Sequence, residues 1–356
     1  MKKLMFNRWP KIELSALKDD LAKHRPGHSF LQEPANQLQS SFKYLSRQAF
    51  SKDGGGFALG GKGREQAVLY LKQCNDMVKL LFSSMHVSSG MPARGEEIRV
   101  VRWADTAAVQ RNIFVVQGRL MLVFSYNKAS QNANNSFFIV RVPSPAVGRC
   151  LVLYLAYIRP FGDFLSRQLK LVSATAPTNP HLFATYDGPM TCFTSAACSK
   201  ILQQSTSECS IPLNLQIYRQ VVVAVSKKHL PSLVQPFDSN GPRGYDGLTQ
   251  LFSFQTGHNP ATHASAYALD RAYPAKLQPD LVERYFYTSE VWHRFLAITE
   301  ECSINAFSKI DRSSSEATFG APGPLLHKTD ELLIKRNLQA DVSSQVNTVS
   351  QGNVTI

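Results

Sequence analysis

The chain has 356 residues, 44% of them apolar and 10% aromatic, enough to close a substantial core and to exclude a wholly disordered polypeptide. With 39 Lys and Arg against 26 Asp and Glu, the formal charge of +13 favours a polyanionic partner, although charge by itself does not choose between nucleic acid and an anionic membrane surface. The sequence contains no apolar run long enough for a membrane-spanning helix, and Arg8, Pro10 and Lys11 interrupt the start before a signal-peptide core can form, so the expectation is a soluble intracellular protein without membrane contact.

Residues 1–63 read as a partial helical lead-in followed by a Gly-rich linker. KIELSALKDDLAKH and PANQLQSSFKYLSRQAF are helical candidates split by the turn signal RPGHSF, and the segment is short for an independent domain. In SKDGGGFALGGKGREQ, Gly56, Gly61 and Lys62 match most of a phosphate loop. Gly63 stands where the magnesium-binding hydroxyl belongs and no apolar strand precedes, so the stretch is read as a linker.

From Arg64 to about His86, the spacing of Val68, Leu69, Leu71, Val78, Leu81 and Phe82 predicts a helix with one buried face. A turn at SSG and Pro92 then opens a second helix over ARGEEIRVVRWAD, with Arg94 and Glu97 on one face and a surface ion pair as their bland reading. NIFVVQ, RLMLVFSY and SFFIVRVP are β-rich runs divided by Gly118 and by the polar turn NKASQNANN, which predicts a three-stranded antiparallel sheet with Lys128 in its second turn.

PSPAVGRCLVLYLAYIRPF predicts a long helix capped by Ser144, with Pro145 just inside and Pro160 as its stop. HLFATYDG is a short strand candidate, and TSAACSKILQQS a helix. The helix NLQIYRQVVVAVSKKHL carries Arg219 on a core-like face, where a buried guanidinium needs either a carboxylate or an anionic ligand. Beyond a Pro- and Gly-containing loop, QTGHNPATHASAYALDR places Asn259 as a helix cap, Pro260 at its first position, and His258 nine residues before Tyr267. VERYFYTSEVWHRFLAIT is a further aromatic-rich helix, and residues 308–356 read as a flexible polar tail.

The six cysteines form no CxxC pair, so reduced structural thiols are expected, with a zinc site drawing on Cys192, Cys198 and Cys209 as the lesser reading. The sites that stand out are Arg94, Lys128, Arg219, His258 and Tyr267, with Glu97 and Gln216 beside them; together they suggest a phosphate-handling site with a tyrosine nucleophile.

Their order resembles the catalytic domain of the tyrosine recombinases of the phage-integrase type. Gly90-Met-Pro-Ala-Arg94-Gly-Glu-Glu97 is similar to that family's first arginine box, with two extra residues between the Gly and the Arg. Lys128 matches the β-hairpin lysine, Gln216-Ile-Tyr-Arg219 matches the H-x-x-R motif in part, and Gly257-His258 with Tyr267 matches the last box. The resemblance covers about residues 64 to 300, and the closer likeness is to the eukaryotic branch of Crypton-type transposons and fungal proteins associated with telomere-linked helicases.

The resemblance implies an α+β, mainly helical catalytic fold over residues 64–307. It implies cleavage of double-stranded DNA in the nucleus without cofactor or metal, through a 3′-phosphotyrosyl intermediate on Tyr267. Arg94 and Arg219 would hold the scissile phosphate, Lys128 would protonate the leaving oxygen, His258 would assist, and Glu97 would support the helix. It also implies a tetramer on DNA, with the Trp292 helix passed to a neighbour. Gln216 replaces the family's histidine and cannot serve as a base near neutral pH, although His263, one turn before Tyr267, offers a substitute. Tyr273, Tyr285 and Tyr287 are alternative nucleophiles without the spacing from His258. A DNA-binding module that has lost catalysis and a type IB topoisomerase-like relaxing enzyme are the competing readings.

Overall fold

The computed structural model describes residues 1–8, 10–51, 57, 61–126, 137–187, 192–230, 277 and 279–298. Within them the protein is mainly helical, with one three-stranded antiparallel sheet. Helix α1 spans Ser41–Phe50, α2 Gly61–Ser88, α3 Gly95–Ile98, α4 Pro145–Leu153, α5 Arg159–Gln168, α6 Ser195–Ser205, α7 Leu215–His229 and α8 Pro279–Phe295. The strands are β1 Ile113–Val116, β2 Arg119–Tyr126 and β3 Phe137–Arg141.

Helix α2 is the axis of the molecule, 28 residues long and so about 40 Å from end to end at the usual helical rise. Tyr70, Leu71, Cys74, Met77, Val78, Leu81, Phe82 and Met85 recur at three- and four-residue steps and enter the main core. Val68 and Leu69, expected on that face, point outward at 52% and 55% exposure. The phase is set by the 70/74/78/82 row, and positions 68 and 69 lie off it.

The sheet is buried on both faces. Ile113, Val115, Leu120, Leu122, Phe124 and Ile139 join the helical core, while Phe114, Val116, Met121, Val123 and Val140 pack under Leu277, Val282, Tyr285 and Phe286 of the α8 region. Strands β1 and β2 turn through Gln117 and Gly118, both left-handed, the geometry that suits a tight two-residue hairpin. A Cβ at Gly118 would lie 2.9 Å from the Ser15 backbone, so the lead-in packs directly on this turn.

Two expectations fail here for physical reasons. KIELSALKDDLAKH forms only a 3₁₀ turn at Leu14–Ala16. Its Asp19 is drawn instead to Arg111, whose Nη2 donates to Oδ1 at 2.6 Å, while Val115 N donates to Oδ2 at 3.0 Å. Arg111 spends its remaining donors on Asp105 at 3.2 Å and on the carbonyls of Asp20, Lys23 and Ile113, and lies 4.5 Å over the Phe114 ring. PANQLQSSFKYLSRQAF is helical only over Ser41–Phe50, because Pro34–Asn36 is a 3₁₀ turn and Gln37 is left-handed.

Pro160 does not stop its helix. Helix α4 runs through a π turn at Tyr154–Ile158 directly into α5. The wider i→i+5 turn takes up the missing Pro160 N–H and the ring that would crowd the preceding turn. Ser144 sits at the cap position without a side-chain cap bond, and its N–H donates to Ser88 Oγ at 3.3 Å.

HLFATYDG contributes only isolated bridges, Arg102 with His181 and Ala184 with Cys192. Trp292, expected to meet a neighbouring subunit, is buried in its own chain and donates Nε1–H to Val87 O at 2.9 Å. No helix among the described residues is long and apolar enough to cross a membrane. Most of the Gly-rich linker, the helix expected after Asn259, and the polar tail lie outside the described residues.

Candidate functional site

The site grows from the C-terminal end of α2, where the last carbonyls of a helix lack partners of their own. Side chains from two other helices supply them. Tyr218 of α7 donates its hydroxyl to Val87 O at 3.3 Å, Trp292 of α8 shares that acceptor, and His293 Nε2 lies 2.9 Å from Ser88 O and 3.2 Å from Val142 O. Gly90, left-handed with φ 83°, then lets the chain reverse into Met91 and Pro92.

Arg94 follows as the N-cap of α3, half-buried, and not inside a longer helix as expected. Helix α3 is a single turn because the chain beyond it crosses to β1, with Arg102 N donating to Asn112 Oδ1 at 2.8 Å. The surface ion pair expected of Arg94 and Glu97 is replaced by a capping bond: Glu97 Oε2 accepts the Arg94 backbone N–H at 3.0 Å, which fixes the backbone carrying the arginine.

Gly95 brings this turn onto the helices behind it. A Cβ there would lie 2.1 Å from Ser195 Oγ and 3.0 Å from Leu215 Cδ1, the starts of α6 and α7. Gly95→Ala is expected to cost on the order of 1 kcal/mol, since the Ser195 hydroxyl can rotate while Leu215 must shift. Denaturant unfolding measures it, and an unchanged midpoint would show that the approach is looser than drawn.

Arg219 comes from α7, whose cap Asn214 accepts Ile217 N–H at 2.8 Å. Tyr218 and Val222 beside it are buried, Arg219 itself is half-buried, and Gln216 is exposed. Asp, Glu or phosphate would each suit a guanidinium so placed.

Arg94 and Arg219 both act electrostatically on a third arginine. Arg141, at the end of β3, is buried; its Nε donates to Met91 O at 2.9 Å and its guanidinium lies 4.8 Å over the Phe124 ring. Burial brings its pKa down to about 10, the nearby Glu97 and Tyr285 act to raise it, and the charges of Arg219 and Arg94 act to lower it. Three cations and one carboxylate from three separate stretches of sequence therefore act on one another.

His86 closes the site from below. The ring stacks on Phe82 at 5.7 Å and tilts against Tyr218 at 5.5 Å, and neither nitrogen has a hydrogen-bond partner among the described residues. Burial first, then the charges of Arg141 and Arg219, push its pKa down to about 3, so the imidazole is neutral.

Lys128, His258, Tyr267 and His263 lie outside the described residues, as does Tyr273. Among the other tyrosines, Tyr285 is buried with its hydroxyl directed to the Val140 backbone and its pKa raised by that burial, while Tyr287 is exposed. Sequence reading missed Arg141, His86 and Gly95. An arginine inside the apolar run SFFIVRVP carried the same signal that singled out Arg219.

Elsewhere, Cys192 Sγ accepts from Arg99 Nη1 at 3.4 Å, and Cys198 is buried with its thiol pushed up to about 12 by that burial. Among the described residues, no group of three or more His, Cys, Asp or Glu could hold a metal ion. No protein-family model, curated protein or solved structure matches the chain.

Proposed function

We propose that the chain cleaves and rejoins double-stranded DNA as a tyrosine recombinase, its helical body and small sheet being that family's catalytic fold. The observation that supports this best is that Arg94 and Arg219, half-buried and distant in sequence, both act electrostatically on the buried Arg141. A formal charge of +13 agrees with a phosphate-rich partner.

In this reading Arg94 and Arg219 hold the non-bridging oxygens of the scissile phosphate and offset the charge that grows in the transition state. The Tyr267 hydroxyl oxygen attacks phosphorus as its proton passes to His258, a phosphotyrosyl bond forms at the 3′ side, and the bond to the 5′ oxygen breaks as Lys128 donates its proton there. His258 hydrogen-bonds the phosphate. Because the phosphotyrosyl bond conserves the energy of the bond it replaces, rejoining needs no nucleotide cofactor. The working form is a homotetramer on paired DNA sites in the nucleus, used for site-specific recombination or transposon movement.

A nicked suicide substrate tests the proposal. The expected result is a covalent protein–DNA adduct on a denaturing gel, abolished by Tyr267→Phe. Absence of adduct over a library of terminal sequences would sink the cleavage reading.

The exposed Gln216 favours a second reading, a recombinase-derived DNA-binding module without catalysis, since glutamine offers no base. That module would bind duplex DNA with affinity falling steeply in salt and would yield no adduct under any condition.

A further inference from the structure

We infer that Arg141 is a positioning residue for an anion site formed by Arg94 and Arg219: from the interior it pins the Met91–Arg94 turn and adds positive charge without touching the ligand. The inference rests on reading Arg94 and Arg219 as the phosphate-holding pair.

The mechanical part is short and stiff. Arg141 Nε holds Met91 O at 2.9 Å, and Met91 and Ala93 are buried. Pro92 between them has its φ fixed by the ring. Arg94 follows at once, with its backbone N–H held by Glu97 at 3.0 Å. The chain entering Arg94 is therefore tied at one end to β3 and at the other to α3. Strand β3 is itself anchored by pairing Arg141 with Leu122 across the sheet, and Tyr285 of α8 lies beside the guanidinium. On the far side, Gly95 seats the same turn on Leu215 at the start of the Arg219 helix. Arg141 thus fixes the stretch that carries Arg94, and Gly95 seats that stretch on the helix that carries Arg219.

The residue type matters. Arginine presents Nε–H to the Met91 carbonyl while its flat face rests 4.8 Å over Phe124, and a lysine ammonium supplies a point charge with neither the fork nor the stacking plane. The electrostatic part follows from burial. A cation removed from water beside two others is unfavourable unless compensated, and Glu97 and Tyr285 act in that direction. An anion seated between Arg94 and Arg219 would add to that compensation, so occupancy and folding stability should be linked. Because Arg141 is buried, it displaces no counterion from DNA when the anion binds.

The test uses the full chain with two probes, inorganic sulfate followed by thermal unfolding, and duplex DNA titrated over a range of salt. Sulfate is expected to raise the wild-type melting temperature, and Arg94→Ala or Arg219→Ala to remove most of that rise. Each of those two variants should also reduce the magnitude of the log affinity against log salt slope by about one. Arg141→Met, checked for a cooperative melt, is expected to weaken sulfate and DNA binding about tenfold with the slope unaltered. Arg141→Lys should recover part of the loss.

If the Met variant does not fold, the Lys variant carries the test, with a loss of threefold or more at unaltered slope expected. Wild-type affinity in the folded Arg141 variants overturns the inference, and so does a slope reduced by about one, which would mean direct phosphate contact. A wild-type protein that binds both probes yet forms no adduct defeats the cleavage proposal while leaving the role of Arg141 standing. One that binds neither probe defeats both.

Discussion

Replacing Arg111 by Met is expected to destabilise the protein by about 3–5 kcal/mol at neutral pH, because it strands two buried carboxylates at once. Asp19 and Asp105 have fully buried side chains, and Arg111 is the cation between them, at 2.6 Å and 3.2 Å. The size of the effect depends on pH in a definite direction. Burial, outweighing the attraction of Arg111, pushes the Asp19 carboxyl up to about 6 from an ordinary 3.8. The folded state therefore binds a proton more tightly than the unfolded chain does. The stability from that proton is fully present below about pH 4 and is lost as pH rises through 6. In the Met variant the proton is needed more, so the penalty should shrink from pH 8 to pH 5. Urea unfolding at the two values measures it, and equal penalties would show that Asp19 stays ionised.

His86→Phe is expected to act with the opposite pH sense. With its folded pKa near 3 against an ordinary 6.5, His86 supports the fold only while neutral, and that support is lost as pH falls from 6.5 toward 3. Between pH 7 and pH 4.5 the wild-type loss from this one group is about 3 kcal/mol at 1.36 kcal/mol per pH unit. Phenylalanine keeps the stack on Phe82 and removes two ring nitrogens that have no partner among the described residues, so near pH 7 the change should be close to neutral or mildly stabilising. Unfolding free energies at both pH values decide it. An acid loss as large as wild type would mean that other groups carry the sensitivity; His28, His181 and His293, whose pKa values are also lowered by burial, are the ones to examine next.

The parts legible in the sequence are those governed by local rules. The β-branched runs gave the three strands in their order, and Asn214 and Thr194, each accepting a backbone N–H, start α7 and α6 close to where composition put them. Arg94 and Arg219 were singled out from their spacing and from the cost of a guanidinium on an apolar face. What was not legible depends on tertiary partners. KIELSALKDDLAKH has the composition of a helix, but Asp19 is bound more strongly by Arg111 than by helical context. Arg141 carries the signal that singles out Arg219, but a strand-end arginine reads as a surface residue wherever one face of a sheet is wet, and here α8 covers the second face. His86 marks only the approximate end of the helix in the sequence, and the charges of Arg141 and Arg219 acting on it emerge from the fold.

The π turn at Tyr154–Ile158 has its consequence in rotational phase. An α-helix advances about 100° per residue, so a turn with one residue more re-aims every side chain after it by roughly that angle. Upstream of the turn, Gly148 of α4 faces Leu14 and Leu120 beside the sheet. Downstream, Arg159 of α5 faces inward, donating to Leu182 O at 3.2 Å and Asn179 O at 2.9 Å. A single rod thereby serves two walls of the core that a regular helix, with one unbroken stripe, could not address together.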